Sequence, residues 1–300
     1  MKRRTKIIIA FFSGVVLYAQ IASAQTKLFE PYVATEAVYD DNYLKFEDSN
    51  EARAATGSSD MQETTLHLIA GLRGSAPVSR QKLTYSAEVD QSKFDRYDDL
   101  DNTAIDGSLE YDWQIGNQWE GLLSYRYDER LTRFFELNRP LKDIETRQTA
   151  VARGTYSFHP RWRLAAATSW QDRDHNKRSF LERTEKTYLV EQQYSTTAKT
   201  RVAIRAVIRD GDEAVDANDY DETEYSGVVY WEGTTKSHFE GRLGKTKRDL
   251  DNAPGQDFDG VTWDFIFTWM ATPKTRVLLS AADRTSNQIE RSRYSESRIY

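Results

Sequence analysis

The chain has 300 residues, no cysteine, a net charge of −6 and 12% aromatic residues. Without cysteine there is no disulfide framework, thiolate metal site or cysteine nucleophile, and the acidic balance argues against a nucleic-acid partner. Hydrophobic residues make up 39%, below the usual apolar share of a globular domain.

The N-terminus reads as an export signal. Lys2, Arg3, Arg4 and Lys6 form a basic region, residues 7–18 an apolar core, and Ala22-Ser23-Ala24 a small-residue cleavage site before Gln25. The apolar core is shorter than the ~20 residues a spanning helix needs. Residues 1–24 are therefore expected to be removed, leaving 25–300 as the mature domain. Loss of the four basic residues takes the net charge from −6 to −10.

No later apolar run approaches the length of a membrane helix; what recurs is period-two alternation, the pattern of a half-buried strand. Phe29, Val33, Ala37 and Tyr39 share one parity of the first predicted strand, and a long polar segment over 43–60 follows. Leu66, Leu68, Ala70 and Leu72 alternate with Thr65, His67, Ile69 and Arg73, and Gly74-Ser75-Ala76-Pro77 is the expected short connection to Leu83, Tyr85, Ala87 and Val89. After an acidic loop at 94–102, Ile105, Leu109, Tyr111, Trp113 and Ile115 face away from Asp106, Glu110 and Asp112. Gly116-Asn117-Gln118 turns the chain into Trp119, Leu123, Tyr125 and Tyr127, opposite Glu120 and Arg126, and a loop at 131–143 comes next.

The clearest hairpin spans 145–173. Ala150, Ala152, Gly154, Tyr156 and Phe158 oppose Arg147, Arg153 and Thr155; beyond His159-Pro160-Arg161, Trp162, Leu164 and Trp170 oppose Arg163 and Arg173. Both arms exceed the usual strand of five or six residues. An apolar face bracketed by aromatics, with arginines opposite, fits a strand in a membrane wall.

A polar loop at 172–184 leads to Tyr188, Val190 and Tyr194, opposite Glu191. The turn at 196–199 leads to Val202, Ile204, Ala206 and Ile208, opposite Arg201, Arg205 and Arg209. The most acidic loop, 210–221, precedes Tyr225, Gly227, Val229 and Trp231; a turn containing Gly233 then gives Phe239, Gly241 and Leu243 against Glu240 and Arg242. An Asp-rich loop at 248–257 precedes Trp263, Phe265, Phe267 and Trp269, and the turn at 270–274 leads to Val277, Leu279 and Ala281 against Arg276 and Arg284. Residues 292–300 begin one more strand.

The pattern predicts an all-β fold: an antiparallel transmembrane β-barrel of about 14 strands, with short periplasmic turns and long acidic extracellular loops. Arg298 and Glu296 occupy a parity expected to be apolar before Tyr300. A barrel of usually even count would have about 16–18 strands if the chain is a fragment. Trp113, Trp119, Phe158, Trp162, Trp231 and Trp269 all lie beside short turns, the arrangement of an aromatic girdle at the headgroup level. Together these features place the mature chain in the outer membrane of a Gram-negative bacterium. The alternative is an all-β sandwich or propeller, which needs an apolar interior as large as all these faces together.

The opposite parity then lines a lumen. Its candidates are Arg126, Arg147, Arg153, Arg163, Arg173, Arg201, Arg205, Arg209, Arg242 and Arg276, with Glu110, Asp112 and Glu191. Guanidinium groups there would guide an anionic polymer or simply solvate the wall through ion pairs. The acidic run at Asp210, Asp212, Glu213, Asp216, Asp219 and Asp221 invites calcium, but its spacing does not match a twelve-residue calcium loop. A solvated loop is the expectation, with no metal and no cofactor. His67, His159, His175 and His238 show no metal-ligand spacing, and there is no Gly-x-Ser-x-Gly elbow. A Ser/His/Asp site assembled from separate strands stays open, because such sites are defined by geometry. The chain is otherwise read as non-enzymatic.

Several segments carry a resemblance: DNYLKF, SDMQETTLHLIAGLRGSAPVSRQKL, FDRYDDLDNTAIDGSLEYDWQIGNQWEGLLSYRY, FHPRWRLAA, YWEGTTKSHFEGRLG and FTWMATPKTRVLL. They resemble the EpsL-type outer-membrane proteins of exosortase-associated exopolysaccharide loci, across nearly all of the mature chain. The resemblance implies a β-barrel serving export or surface deposition of an extracellular polysaccharide. It implies outer-membrane lipid and lipopolysaccharide, the polymer and periplasmic polysaccharide-export proteins as partners, and it brings no catalytic residues. A structural or adhesive surface barrel and a general small-solute porin are the alternatives.

Overall fold

The computed structural model describes residues 28–132, 141–214, 219–251, 255, 257–272, 274–284 and 297–299. The predicted signal at 1–24, part of the loop at 131–143, and Asp216 lie outside the described residues. The chain is all-β, as the alternation predicts. Its strands are β1 (Glu30–Asp40), β2 (Glu63–Val78), β3 (Gln81–Phe94), β4 (Asn102–Ile115), β5 (Trp119–Leu131), β6 (Ile144–His159), β7 (Trp162–His175), β8 (Arg183–Ser195), β9 (Thr200–Glu213), β10 (Tyr220–Thr234), β11 (Ser237–Leu250), β12 (Phe258–Thr272), β13 (Thr275–Arg284) and β14 (Ser297–Ile299). They form one 14-stranded sheet whose spatial order is the chain order. Antiparallel registers run from β1 through β3 and from β8 through β14. No helix among the described residues is long and apolar enough to cross a membrane.

Short and long connections alternate, with two boundaries moved. The first turn is Ser79-Arg80, not Gly74–Pro77, because β2 and β3 stay paired as far as Val78 and Gln81. Pro77 is tolerated in a strand because it lies beyond Arg73, the last β2 residue paired with β1, where a missing N–H breaks no bond to that neighbour. The acidic run at 210–221 also gives up both its ends to strands, since β9 reaches Glu213 and β10 starts at Tyr220.

The sheet has inverted polarity. Ile204, Tyr225, Leu243 and Val261 are 61–71% exposed, whereas Glu191, Glu222 and Glu224 on the opposite parity are 2–3% exposed. Alternation thus sends apolar side chains to the exposed face of these strands and charged ones to the buried face.

Contacts divide the chain into two compact units, residues 1–111, 125–148 and 173–179, and residues 112–124, 149–172 and 180–300. The first unit holds an apolar cluster of Leu44, Phe46, Ala52, Phe94 and Leu100, all buried, with Tyr43, Met61, Tyr97 and Leu131 packed against it. Most of it comes from connections rather than strands. The segment at 43–60, expected to be polar loop, contains helix α1 (Ser49–Thr56). Asp48 caps its N-terminus by accepting from the N–H groups of Asn50 and Glu51 at 2.8 and 2.9 Å. Gly57 closes it at φ 79° with an N–H bond to Arg53 O, the left-handed stop that glycine adopts without a Cβ clash. Ala52 is its one buried residue.

Candidate functional site

The largest concentration of chemistry in the second unit is the charged face of β8–β13. Antiparallel register sets Arg209 opposite Glu222, Glu222 opposite Arg248, Glu191 opposite Arg205, and Arg242 opposite Asp264. Directly opposed residues of unlike charge are the favourable cross-strand pairing, and here each closes into contact. Glu222 binds Arg209, and its other oxygen accepts from Arg248 Nε at 2.7 Å. Arg242 donates from Nε to Asp264 at 2.6 Å and also binds Glu224. Arg209 lies 3.7 Å from Glu224, and Arg284 lies 3.5 Å from Asp264. The result is one chain of alternating charge, Arg248–Glu222–Arg209–Glu224–Arg242–Asp264–Arg284. A second group surrounds Glu191, which accepts from Arg205 Nε at 2.6 Å and from the Tyr230 hydroxyl at 3.0 Å.

Burial explains why these groups are so fully paired, since an unpaired charge removed from water costs several kcal/mol. Ser226 donates to Glu224 at 2.8 Å, and the Thr246 and Thr262 hydroxyls share a bond at 2.7 Å. Arg248 stacks over the Tyr220 ring at 3.9 Å from its centroid.

The predicted lumenal arginines therefore split into two sets. Arg205, Arg209 and Arg242 belong to the network; Arg126 pairs with Asp106 at 2.8 Å, Arg147 with Glu145, and Arg201 with Glu232 at 3.4 Å. Among the described residues, Arg153, Arg163 and Arg276 make no ion pair, and Arg153 and Arg276 are exposed. Glu191 is a buried network member, Glu110 is exposed, and Asp112 and Arg173 are half-buried. The run from Arg147 to Arg209 is thus not a row of free cations.

The aromatic candidates gather at the short-turn ends of their strands. Trp119, Phe158, Trp162, Trp231 and Trp269 are 40–47% exposed. Trp113 is half-buried instead, because it lies over Gly121: a Cβ there would come within 2.3 Å of its ring. Trp119 stacks on Tyr156 at 4.3 Å, and Trp162 packs on Tyr194 at 4.6 Å.

In the first unit, the β2–β3 register brings His67, Asp90 and Ser92 together, three residue types of a hydrolytic triad. Asp90 and Ser92 both approach His67 Nδ1, at 2.9 and 3.0 Å. A relay needs the acid and the nucleophile on opposite ring nitrogens, so this cluster is not arranged for nucleophilic catalysis. Among the described residues no group of three or more His, Asp and Glu side chains is placed to hold a metal ion.

Two carboxylates that the sequence did not single out organise the long connections. Glu63, 2% exposed, accepts backbone N–H bonds from Asp95, Arg96 and Tyr97 at 3.0–3.2 Å. Asp143, fully buried, accepts from Arg178 Nε at 2.8 Å, His175 Nδ1 at 2.9 Å, Thr132 Oγ1 at 2.9 Å and Lys177 N–H at 3.1 Å. Burial alone would raise the Asp143 carboxyl, but the bonds from Arg178, His175, Thr132 and Lys177 outweigh it and hold the group below its ordinary value. Neither is visible without the fold, because the donors lie more than thirty residues away for Glu63 and in two separate connections for Asp143.

No protein-family model matches the chain, and no curated protein matches it.

Proposed function

We propose that the mature chain is a non-enzymatic β-barrel of a bacterial outer membrane that passes or anchors an exopolysaccharide during secretion. The observation that carries the membrane reading is the inverted polarity, with Ile204 and Leu243 exposed beside buried Glu191 and Glu222. A soluble sheet would leave that apolar surface in water, where contiguous patches beyond a few hundred Å² are rare. In a bilayer the same surface meets acyl chains, and the charged parity faces the lumen. The exposed aromatics at the short-turn ends then form the periplasmic girdle. The resemblance to EpsL-type proteins supplies the polysaccharide.

Two measurements test this. Membrane fractionation should place the chain with the outer membrane, and a deletion strain should lose most of its extracellular polymer. Normal polymer secretion without the chain would remove the export role. One observation favours a structural or adhesive surface barrel as the second reading: the long connections of the first unit carry their own apolar cluster and a capped helix. Deleting residues 43–60 separates the two, since a conduit keeps exporting polymer whereas an adhesin loses attachment.

A further inference from the structure

At the short-turn end of β7–β10 a cavity of about 310 Å³ is lined by Arg161, Arg163, Lys199, Arg201 and Glu232. That volume falls at the lower end of small-ligand pockets. Four cations against one carboxylate make it strongly positive. Its walls are set by backbone: Ser195 N–H donates to Arg161 O at 2.8 Å, and Glu232 N–H to Lys199 O at 2.7 Å. Lys199 Nζ donates to Gly233 O at 2.9 Å, and Arg201 lies over the Tyr230 ring while reaching Glu232 at 3.4 Å. Among the described residues, Arg161 and Arg163 pair with no carboxylate, unlike the arginines of the network a few residues along the same face.

The geometry points to a binding site for the carboxylate-bearing sugar units of an acidic glycan. Planar guanidiniums bind carboxylates bidentately, which suits Arg161 and Arg163. Ser195, Thr196 and Thr197 also line the cavity. The Thr196 hydroxyl donates to Thr200 O and the Thr197 hydroxyl accepts from Lys199 N–H, each at 3.1 Å. This leaves Thr196 an acceptor and Thr197 a donor that, with Glu232, match the ring hydroxyls of a sugar. A lipid headgroup is disfavoured by orientation. Arg163 and Arg201 share parity with buried Ala165 and Ala203, whereas the exposed apolar face at this end carries Trp162 and Val202. The inference rests on the polysaccharide reading and specifies the charge of the polymer.

The test is calorimetric titration of the purified full chain in neutral detergent with oligogalacturonate, its neutral methyl ester, inorganic phosphate and anionic phospholipid vesicles. Oligogalacturonate is expected to bind at least about tenfold more tightly than the ester, and to weaken as salt is raised. The Arg161→Gln/Arg163→Gln pair should weaken it at least about tenfold, whereas Arg53→Gln, exposed on helix α1 in a long connection, should not. Neither arginine leaves an orphaned carboxylate behind, so strand circular dichroism should be unchanged. If the pair does not fold, Arg161→Gln alone decides, and Arg163→Lys should keep part of the affinity. Equal binding of acid and ester, unchanged affinity in the variants, or tighter binding of phosphate or vesicles would overturn the site. Normal secretion by the deletion strain with oligogalacturonate binding intact would instead overturn the conduit and leave the site standing.

Discussion

Glu222 shows what the buried charges do. Its two oxygens hold Arg209 and Arg248, and it is 2% exposed. Such a carboxylate contributes mainly by neutralising buried Arg248 and half-buried Arg209. Glu222→Gln keeps the shape and removes the charge, so it should lower stability by about 3–5 kcal/mol. Urea unfolding in detergent micelles, followed by tryptophan fluorescence, measures this. Arg153→Gln is the contrast, because Arg153 is exposed and makes no ion pair among the described residues; its change should stay within about 0.5 kcal/mol. Equal midpoints for the two variants would mean that the network is not structural. The same logic explains why the arginine-rich parity was legible in the sequence while its pairing was not. Alternation places Arg205, Arg209 and Arg242 on one face, but only register decides which carboxylate each one meets.

At the scale of elements, β1 to β13 were legible because each runs for ten or more residues with one repeated face. The exceptions have physical causes. Helix α1 buries only Ala52, so it has no apolar stripe, although Asp48, Glu51 and Gly57 mark its ends. The apolar cluster joins Leu44 and Phe46 of the β1–β2 connection to Phe94 at the end of β3 and Leu100 just beyond it, a separation beyond the reach of any sequence window. Leu44→Ala should cost about 2–5 kcal/mol of local stability. It should appear as faster proteolysis within 43–60, with strand content retained; loss of the whole sheet would show that the cluster supports the strands as well.

The Asp143 cluster gives a pH dependence at the same scale. Its carboxyl titrates below the ordinary 3.8 in the folded chain. A depressed carboxylate adds stability that is full above the unfolded pKa and is lost as pH falls through the folded one. The clasp on Thr132, His175 and Arg178 should therefore hold at neutral pH and loosen as pH falls below about 4. The protection of the Lys177 amide, which donates to Asp143, should fall across that range when its exchange is compared with that of an unstructured chain at the same pH. In Asp143→Asn the amide should be weakly protected at every pH. An unchanged acid step in that variant would assign the titration to another group.

At the scale of the whole molecule, the decisive quantity is the sign of the outer surface. Leu243, halfway along β11 and opposite Gly227 and Trp263, is 61% exposed. In water, an exposed leucine replaced by arginine changes stability by no more than about 0.5 kcal/mol. At the midplane of a bilayer the same change costs about 2–4 kcal/mol, because the guanidinium must be drawn into hydrocarbon. Leu243→Arg and Leu243→Ala, refolded into phospholipid vesicles and titrated with urea, distinguish the two environments. The membrane reading requires the arginine variant to fall below the alanine variant by at least about 2 kcal/mol in vesicles. The gap should shrink for Leu279, which lies closer to a short turn, since the penalty declines toward the interface. Matching midpoints for the two Leu243 variants would place this apolar face in water, and the conduit would go with it.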